Sequence, residues 1–192
     1  MHIACLIPLG VLILDAGLNR LTANPIQAAM QRTGLTALII LTIMLSLTPL
    51  STITHELYFR SFRKPVGLYA FLYASVHMLI FVVLDFNLNG ERLIRQVTEK
   101  PFILLGLTGY ILLAALAITS FKSVKAKMGK NWRRLHRMVY LIAVLIVVHD
   151  TLSQKGNAFQ VQGNLLQPIL LGSIILLLLL LRVPVVKNLF KA

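Results

Sequence analysis

Cysteine and acidic side chains are both scarce in this 192-residue sequence. The single cysteine, Cys5, excludes an intrachain disulfide, a CxxCH site for covalent cofactor attachment, and any cysteine-based zinc or iron–sulfur site. Only 6 residues are Asp or Glu, against 19 Lys or Arg, so the formal net charge is +13. Charged residues make up 13% of the chain, whereas roughly 25% is typical of soluble domains. An ordinary soluble protein is therefore a poor match.

Apolar residues are correspondingly abundant. They make up 57% of the chain, and the mean hydropathy is +0.81. Disordered chains are poor in apolar residues, so this composition excludes intrinsic disorder. A nucleic-acid-binding protein would explain the charge of +13 but not the apolar excess. An integral membrane protein explains both.

Six segments are mostly apolar over about the 20 residues that a membrane helix needs. They cover residues 3–18, 33–50, 66–86, 102–121, 135–152 and 165–186. Pro8 and Asp15 interrupt the first segment, and no Lys or Arg precedes it as in a signal peptide, so we read it as a tilted or partly interfacial helix. Pro49 is expected to close the second span, while Pro65 and Pro101 open the third and fourth. The sequence predicts one all-α domain over residues 1–192, an integral membrane bundle of six transmembrane helices with no internal repeat.

The basic residues divide unequally between the two sides of such a bundle. Thirteen lie in the even-numbered connections and at the C-terminal end, and six lie in the odd-numbered connections. The positive-inside rule then places both termini in the cytoplasm. Because these residues lie at helix ends, where they meet water and anionic lipid headgroups, the charge indicates membrane lipid as a partner and no nucleic acid.

Three histidines lie inside the predicted spans: His77 in the third, and His136 and His149 in the fifth. Ionisable residues within a membrane are costly and usually functional. The carboxylates near span ends are expected to be interfacial; they are Asp15, Asp85 and Asp150.

Depth along the helices favours one pairing of these histidines. At 1.5 Å per residue, His77 lies roughly 16 Å into its span and His149 roughly 21 Å, but His136 only about 2 Å. His136 and His149 are 13 residues apart, or roughly 20 Å, which is too far for one shared ion. Axial imidazoles from facing helices hold haem b in helix bundles, so the depths favour a haem between His77 and His149.

His136 has no counterpart at its own depth. The residues 13 and 14 positions before His77 are Lys64 and Arg63, so a second bis-histidine haem lacks a ligand. Thirteen residues also turn an ideal helix 220° past three full turns, which requires a bend before His149 or a separate role for His136.

Two segments carry a specific resemblance. Residues 60–77 (RSFRKPVGLYAFLYASVH) and 129–141 (GKNWRRLHRMVYL), the latter followed by His149, resemble the ferric-reductase-like transmembrane family. More narrowly, they are similar to the haem-binding membrane subunits of bacterial protein-methionine-sulfoxide reductase systems. Shorter stretches extend the similarity over residues 30–155; they are 31–38, 47–49, 100–106 and 116–120.

The resemblance implies a function. Such subunits carry electrons through haem b across the bacterial inner membrane to a periplasmic molybdopterin-containing reductase subunit, which repairs methionine sulfoxide in periplasmic proteins. The implied donor is the quinone pool or a cytosolic flavin reductase, and the resemblance also implies bound FMN. The family's three histidines correspond to His77, His136 and His149, which the resemblance makes the metal-ligand candidates. The chain would transfer electrons, with the catalytic reductase on a separate chain.

Side-chain chemistry suggests further roles. His77 and His149 would supply both axial ligands of a haem between spans three and five. The arginines beside His136 would pair with haem propionates, a flavin phosphate or lipid headgroups; they are Arg133, Arg134 and Arg137. The reductase would dock around residues 87–101 and 153–164. The alternative function is a small transporter or proton channel that uses the same histidines and carries no pigment.

Overall fold

The computed structural model describes residues 1–154 and 166–182, and within these ranges all regular structure is helical. One π-helical segment, Ile80–Asp85, continues the fourth helix. The α-helices are α1 His2–Gly17, α2 Pro25–Ile53, α3 Tyr58–Ser61, α4 Arg63–Leu79, α5 Gly90–Glu99, α6 Pro101–Ile118, α7 Lys122–Met128, α8 Lys130–His136, α9 Val139–Ser153 and α10 Leu166–Leu180.

Four helical stretches are long and apolar enough to cross a membrane. They are Pro25–Ile53, Tyr58–Asp85, Pro101–Ile118 and Lys130–Ser153, and they coincide with the second to fifth predicted spans. The apolar helices α1 and α10 are shorter, at 16 and 15 residues. The predicted sixth span extends beyond the described residues on both sides of α10. The first and sixth spans therefore stay predictions.

The predicted end of the second span is wrong. Pro49 lies inside α2, which runs on to Ile53. Proline cannot bond the carbonyl four residues before it, here that of Leu45, and normally this cost ends or kinks a helix. In this fold the Arg182 side chain donates to the Leu45 carbonyl from another part of the chain, so the lost backbone bond is replaced and the helix continues.

Pro8 does not interrupt α1 either, because Tyr73 compensates for it. The Tyr73 hydroxyl accepts a hydrogen bond from the Leu9 amide at 3.0 Å and donates one to the Cys5 carbonyl at 2.7 Å. Pro8 has no amide hydrogen to bond the carbonyl four residues before it, and the Leu9 amide and Cys5 carbonyl are the next pair along the helix. Side chains of neighbouring helices commonly satisfy backbone groups freed by proline in membrane proteins. Asp15, near the end of α1, pairs with Arg32 of α2.

α2, α4 and α6 each have a proline in their first turn, where the missing amide hydrogen costs little. Pro101 is the first residue of α6, and Pro65 lies in the first turn of α4, as predicted. α2 begins at Pro25, eight residues before the predicted start, and the Asn24 side chain caps it by accepting from the Gln27 amide. A proline at the first position after an asparagine cap is a favourable helix start.

The bundle is built from two helix pairs. α2 packs most extensively on α4, and α6 packs most extensively on α9; α4 also contacts α6, and α10 packs against α9 and α2. The core lies between these pairs and is almost entirely apolar. Its best buried residues include Leu41, Leu45, Ala70, Ile142 and Ala143.

Two of the connections between the long helices contain short helices. The connection after the third span contains α5, and Asn87 and Leu88 before it have positive φ angles of 49° and 58°. The connection after the fourth span contains α7 and α8. A turn at residues 137–138 separates α8 from α9.

Candidate functional site

The structure brings His77 and His149 together. His77 lies in the last turn of α4 and His149 in the second half of α9, and both side chains are half-buried. Their ring centroids are 6.3 Å apart, with the ring planes at 84°. This is the pair that depth along the helices favoured.

Each ring is fixed by a backbone carbonyl. His77 Nδ1 lies 2.9 Å from the Met30 carbonyl oxygen, and His149 Nδ1 lies 2.7 Å from that of Phe102. A carbonyl oxygen only accepts, so Nδ1 is the donor in both rings. A neutral imidazole with its hydrogen on Nδ1 has its lone pair on Nε2, which is the state that a metal ligand requires.

Two glycines give the rings room. A Cβ at Gly34 of α2 would lie 3.1 Å from His77 Nδ1, and one at Gly106 of α6 would lie 2.7 Å from His149 Nδ1. The second distance is shorter than real Cβ contacts, and the first is tighter than most. Each imidazole therefore lies against the backbone of a neighbouring helix, at a place that only glycine permits without movement.

The two halves of the site repeat each other at a spacing of 72 residues. His77 and His149, Gly34 and Gly106, and the two carbonyl acceptors, Met30 and Phe102, are each separated by this number of positions, and both histidines follow their acceptor by 47 residues. The sequence Gly-Leu-Thr occurs at residues 34–36 and again at 106–108. The pairs α2–α4 and α6–α9 are thus a structural repeat, and the expectation of no internal repeat is wrong.

The geometry fits a metal held from two sides. Two imidazoles that bind one ion from opposite sides have ring centres about 6 Å apart, because each metal–nitrogen bond is about 2 Å long. No group of three His, Cys, Asp or Glu side chains within residues 1–154 and 166–182 could hold a metal ion. A two-imidazole set is the donor set that haem iron takes as axial ligands, with the macrocycle supplying the other four nitrogens.

His136 lies in a different environment. Its Nε2 is 3.1 Å from the Thr119 hydroxyl, and its ring stacks on Trp132 with centroids 4.1 Å apart. Trp132 donates to the Thr119 carbonyl at 2.9 Å, and the Lys125 ammonium lies 4.5 Å above its ring. On one ideal helix, His136 and His149 would point to different sides, so a bend between them was one of the two possibilities. The turn between α8 and α9 supplies that bend.

The predicted arginines do not join the histidine pair. Arg133, Arg134 and Arg137 are exposed, and their side chains make no hydrogen bond within the described part of the chain. Arg63 and Arg182 are half-buried instead, at the end of the bundle that holds His136. Sequence reasoning had treated both as ordinary helix-end cations.

Of the three expected interfacial carboxylates, two fit that description. Asp15 pairs with Arg32, and Asp85 is exposed at the end of the π-helical segment. Asp150 follows His149 in α9 and is half-buried, with Gln154 near one of its oxygens.

Comparison with known proteins assigns the class. A family model described as "Ferric reductase like transmembrane component" matches residues 29–147, which run from α2 into α9 and include His77 and His136 but end two residues before His149. The chain belongs to the ferric reductase-like transmembrane family. With its four long apolar helices, it is a multi-pass membrane protein.

Individual relatives narrow the comparison. Three of the most similar are each named as the protein-methionine-sulfoxide reductase heme-binding subunit MsrQ. The one from Bordetella pertussis is 37% identical over 83% of this chain and 75% of its own length. That from Herminiimonas arsenicoxydans is 36% identical over 95% of this chain and 82% of its own. That from Xanthomonas campestris pv. campestris strain 8004 is 35% identical over 93% of this chain and 82% of its own length.

Proposed function

We propose that this chain is the membrane electron-transfer subunit of a methionine sulfoxide reductase system and holds one haem b between His77 and His149. The observation that carries the proposal is the facing pair of imidazoles, each with Nδ1 bonded to a carbonyl and Nε2 left for a metal. The names of the relatives support the haem and the reductase system.

The residues around the site suit electron transfer. His77 and His149 would hold a haem between them, and the haem would supply one-electron chemistry. The carbonyls of Met30 and Phe102 hold the rings in place and make each Nε2 a stronger donor. Gly34 and Gly106 let the rings approach the helix backbones, and the apolar bundle keeps water away.

The proposed orientation and docking surface follow from the distribution of charge, whereas the partner is the one that the family resemblance implies. We place the protein in the bacterial inner membrane with six spans, both termini in the cytoplasm and the His77–His149 pair in the periplasmic half. The reductase, a periplasmic molybdopterin-containing subunit, would dock on residues 87–101 and 153–164; residues 155–164 lie outside the described part of the chain. In the first of these segments, α5 presents an exposed apolar side chain, Ile94.

Electrons would enter at the opposite end. The proposed donors are the quinone pool or a cytosolic flavin reductase, and FMN is a proposed cofactor on that side. His136 is the third histidine of the family pattern and would contribute there, as would the exposed arginines 133, 134 and 137. Its contact with Thr119 supports a role separate from the His77–His149 pair.

Removing the two ligands tests the proposal. We expect His77→Ala and His149→Ala each to lose most of the haem, because one imidazole cannot keep iron six-coordinate. The measurement is the Soret and α-band absorbance of the purified protein, reduced minus oxidised, with the pyridine haemochrome counted per chain.

The controls separate this function from the alternatives. His55→Asn changes an exposed histidine whose φ of 60° asparagine tolerates, and it should keep the full spectrum. A colourless wild-type preparation from haem-replete cells would favour a transporter or proton channel. Loss of haem in His136→Ala, with haem retained in His149→Ala, would contradict the assigned pair.

A further inference from the structure

Arg182 joins three helices at the end of the bundle that holds His136. It follows α10, and its Nη1 donates to the Tyr140 hydroxyl of α9 at 2.6 Å while its Nη2 donates to the Leu45 carbonyl of α2. The guanidinium also lies 4.9 Å from the centre of the Tyr140 ring. Two of its three nitrogens are therefore used to hold the bundle together.

A cavity of about 170 Å³ opens beside this arginine. Its lining combines polar and apolar side chains from α2, α9 and the end of α10: Thr48, Pro49, Thr52, Ile53, Tyr140, Leu181 and Arg182. Two buried polar atoms of this lining, Thr48 Oγ1 and Arg182 Nε, have no hydrogen-bond partner among the described residues. Buried polar groups normally have partners, so the cavity offers unused donors to a ligand.

The charge around the cavity is positive and uncompensated. Arg63 lies near Arg182 and Tyr140, and its buried Nε also lacks a partner within the described chain. The ion pairs of the described residues are at other places, Arg32 with Asp15 and Arg95 with Glu99. Residues 155–165 and 183–192 contain no Asp or Glu. Two half-buried guanidinium groups without a carboxylate call for an anion.

The position of the cavity indicates what kind of anion it takes. It lies at the ends of membrane-crossing helices, on the side with the larger share of Lys and Arg. Ile53 on its rim is half exposed, and Pro49 and Leu181 make the rest of its apolar wall. A basic pocket between helices at this depth suits a phosphate with an apolar chain attached.

We propose that this cavity, the Arg182 cavity, binds the phosphate group of an anionic phospholipid. The guanidinium and the Thr48 hydroxyl supply the hydrogen bonds, and the apolar wall lies against the start of an acyl chain. Guanidinium groups are well suited to phosphate because they present several donors in a fixed plane. A soluble phosphate compound has the same chemistry, and the experiment distinguishes the two sources.

Lipid retention by the purified, cofactor-loaded protein tests the proposal. We expect native mass spectrometry to detect retained phosphatidylglycerol in preference to phosphatidylcholine when the two are added in equal amounts. Arg182→Gln should lower this retention about tenfold, the value of a charged hydrogen bond, and Thr48→Val about threefold. Thr48→Val keeps the side-chain shape, so it remains informative if Arg182→Gln does not fold.

Controls give each outcome a meaning. Lys127→Gln removes one exposed positive charge on the same side and should retain lipid like the wild type. Inorganic phosphate, added without lipid, should leave the melting temperature unchanged if the ligand is a lipid; stabilisation that Thr48→Val and Arg182→Gln both remove would assign the site to a soluble phosphate. Equal retention by wild type, Thr48→Val and Arg182→Gln would overturn the proposal, as would displacement of the lipid by a neutral short-chain quinone.

Discussion

At the scale of residues, backbone groups set the orientation of the two imidazoles. The carbonyls of Met30 and Phe102 fix which nitrogen of each ring carries the hydrogen, while Gly34 and Gly106 fix how closely each ring approaches its neighbouring helix. Because these carbonyls are the partners of both Nδ1 atoms, neither ring needs a side-chain partner there. The site therefore depends on helix positions to within a few tenths of an ångström.

Gly106→Ala is expected to damage the histidine pair. Its Cβ would lie 2.7 Å from both His149 Nδ1 and Cε1, so the ring must move away from the Phe102 carbonyl. Overpacking of this kind costs about 1–3 kcal/mol. We expect a clear loss of haem per chain, measured by the pyridine haemochrome assay.

Two other glycine-to-alanine variants serve as comparisons for the haem content of Gly106→Ala. Gly34→Ala meets His77 at the longer distance of 3.1 Å and should lose less haem. Gly10→Ala has no atom within 4 Å of the added Cβ and should match the wild type. The same haem content in Gly106→Ala and Gly10→Ala would show that close approach to α6 is unimportant.

These residues also show what could be read from the sequence at this scale. Depth along the helices was enough to select His77 and His149, because a histidine inside a span is rare and its depth is countable. Gly34 was missed, although the repeated Gly-Leu-Thr offered a signal. Nothing in the sequence marked the carbonyls of Met30 and Phe102 as the acceptors, because every residue has a carbonyl.

At the scale of helices, two prolines are tolerated by the same means. A side chain from a distant segment bonds a backbone group beside the proline: Tyr73 acts next to Pro8, and Arg182 acts on the carbonyl freed by Pro49. The partner of Leu45 lies 137 positions away in the chain. The helix end that the sequence predicted at Pro49 is therefore prevented by a tertiary contact, and α1 runs through Pro8 with a similar contact beside it.

Tyr73→Phe should destabilise the attachment of α1. It removes one hydroxyl that bonds both the Leu9 amide and the Cys5 carbonyl, and Tyr73 is only 1% exposed. We expect a loss of about 1–2 kcal/mol in the free energy of unfolding, since hydrogen bonds between membrane helices are individually modest. Reversible unfolding in mixed detergent micelles measures it.

Tyr110→Phe is the matched control for this change. The Tyr110 hydroxyl lies 3.4 Å from Ser75 Oγ, a longer contact that stabilises less. Its removal should change stability by a smaller amount. If Tyr73→Phe and Tyr110→Phe have the same effect, Leu9 and Cys5 bond each other without the tyrosine.

At the scale of the whole molecule, composition predicted the class and four of the spans, but not the repeat. Outside the Gly-Leu-Thr segment and the two histidines, most positions 72 residues apart have different side chains; Lys64, for example, stands 72 positions before His136. A membrane bundle restricts residues to being apolar and well packed, so many sequences satisfy the same backbone. Apart from the short Gly-Leu-Thr signal, the repeat is visible through equivalent contacts in space.

Fusions to reporter proteins test the predicted orientation. We expect alkaline phosphatase to be active when fused after Glu99 and inactive when fused after Met128, because the connection that contains Met128 carries the larger excess of positive charge. Green fluorescent protein, which does not fold after export in unfolded form, should give the opposite result. Phosphatase activity at Met128 with none at Glu99 would reverse the orientation proposed here.

The repeat also has a mechanical consequence. His77 belongs to the α2–α4 pair and His149 to the α6–α9 pair. A metal bound by both would therefore link the two pairs, which also contact each other through α4 and α6. Without it, the halves would be held together by apolar packing and by a few polar contacts, those of Arg182 with Tyr140 and Leu45 and that of Ser75 with Tyr110. The chain joining them, residues 86–100, would then be the natural point of attack for a protease. Loading with cofactor should then protect that segment from cleavage, although the segment itself need not contact the metal.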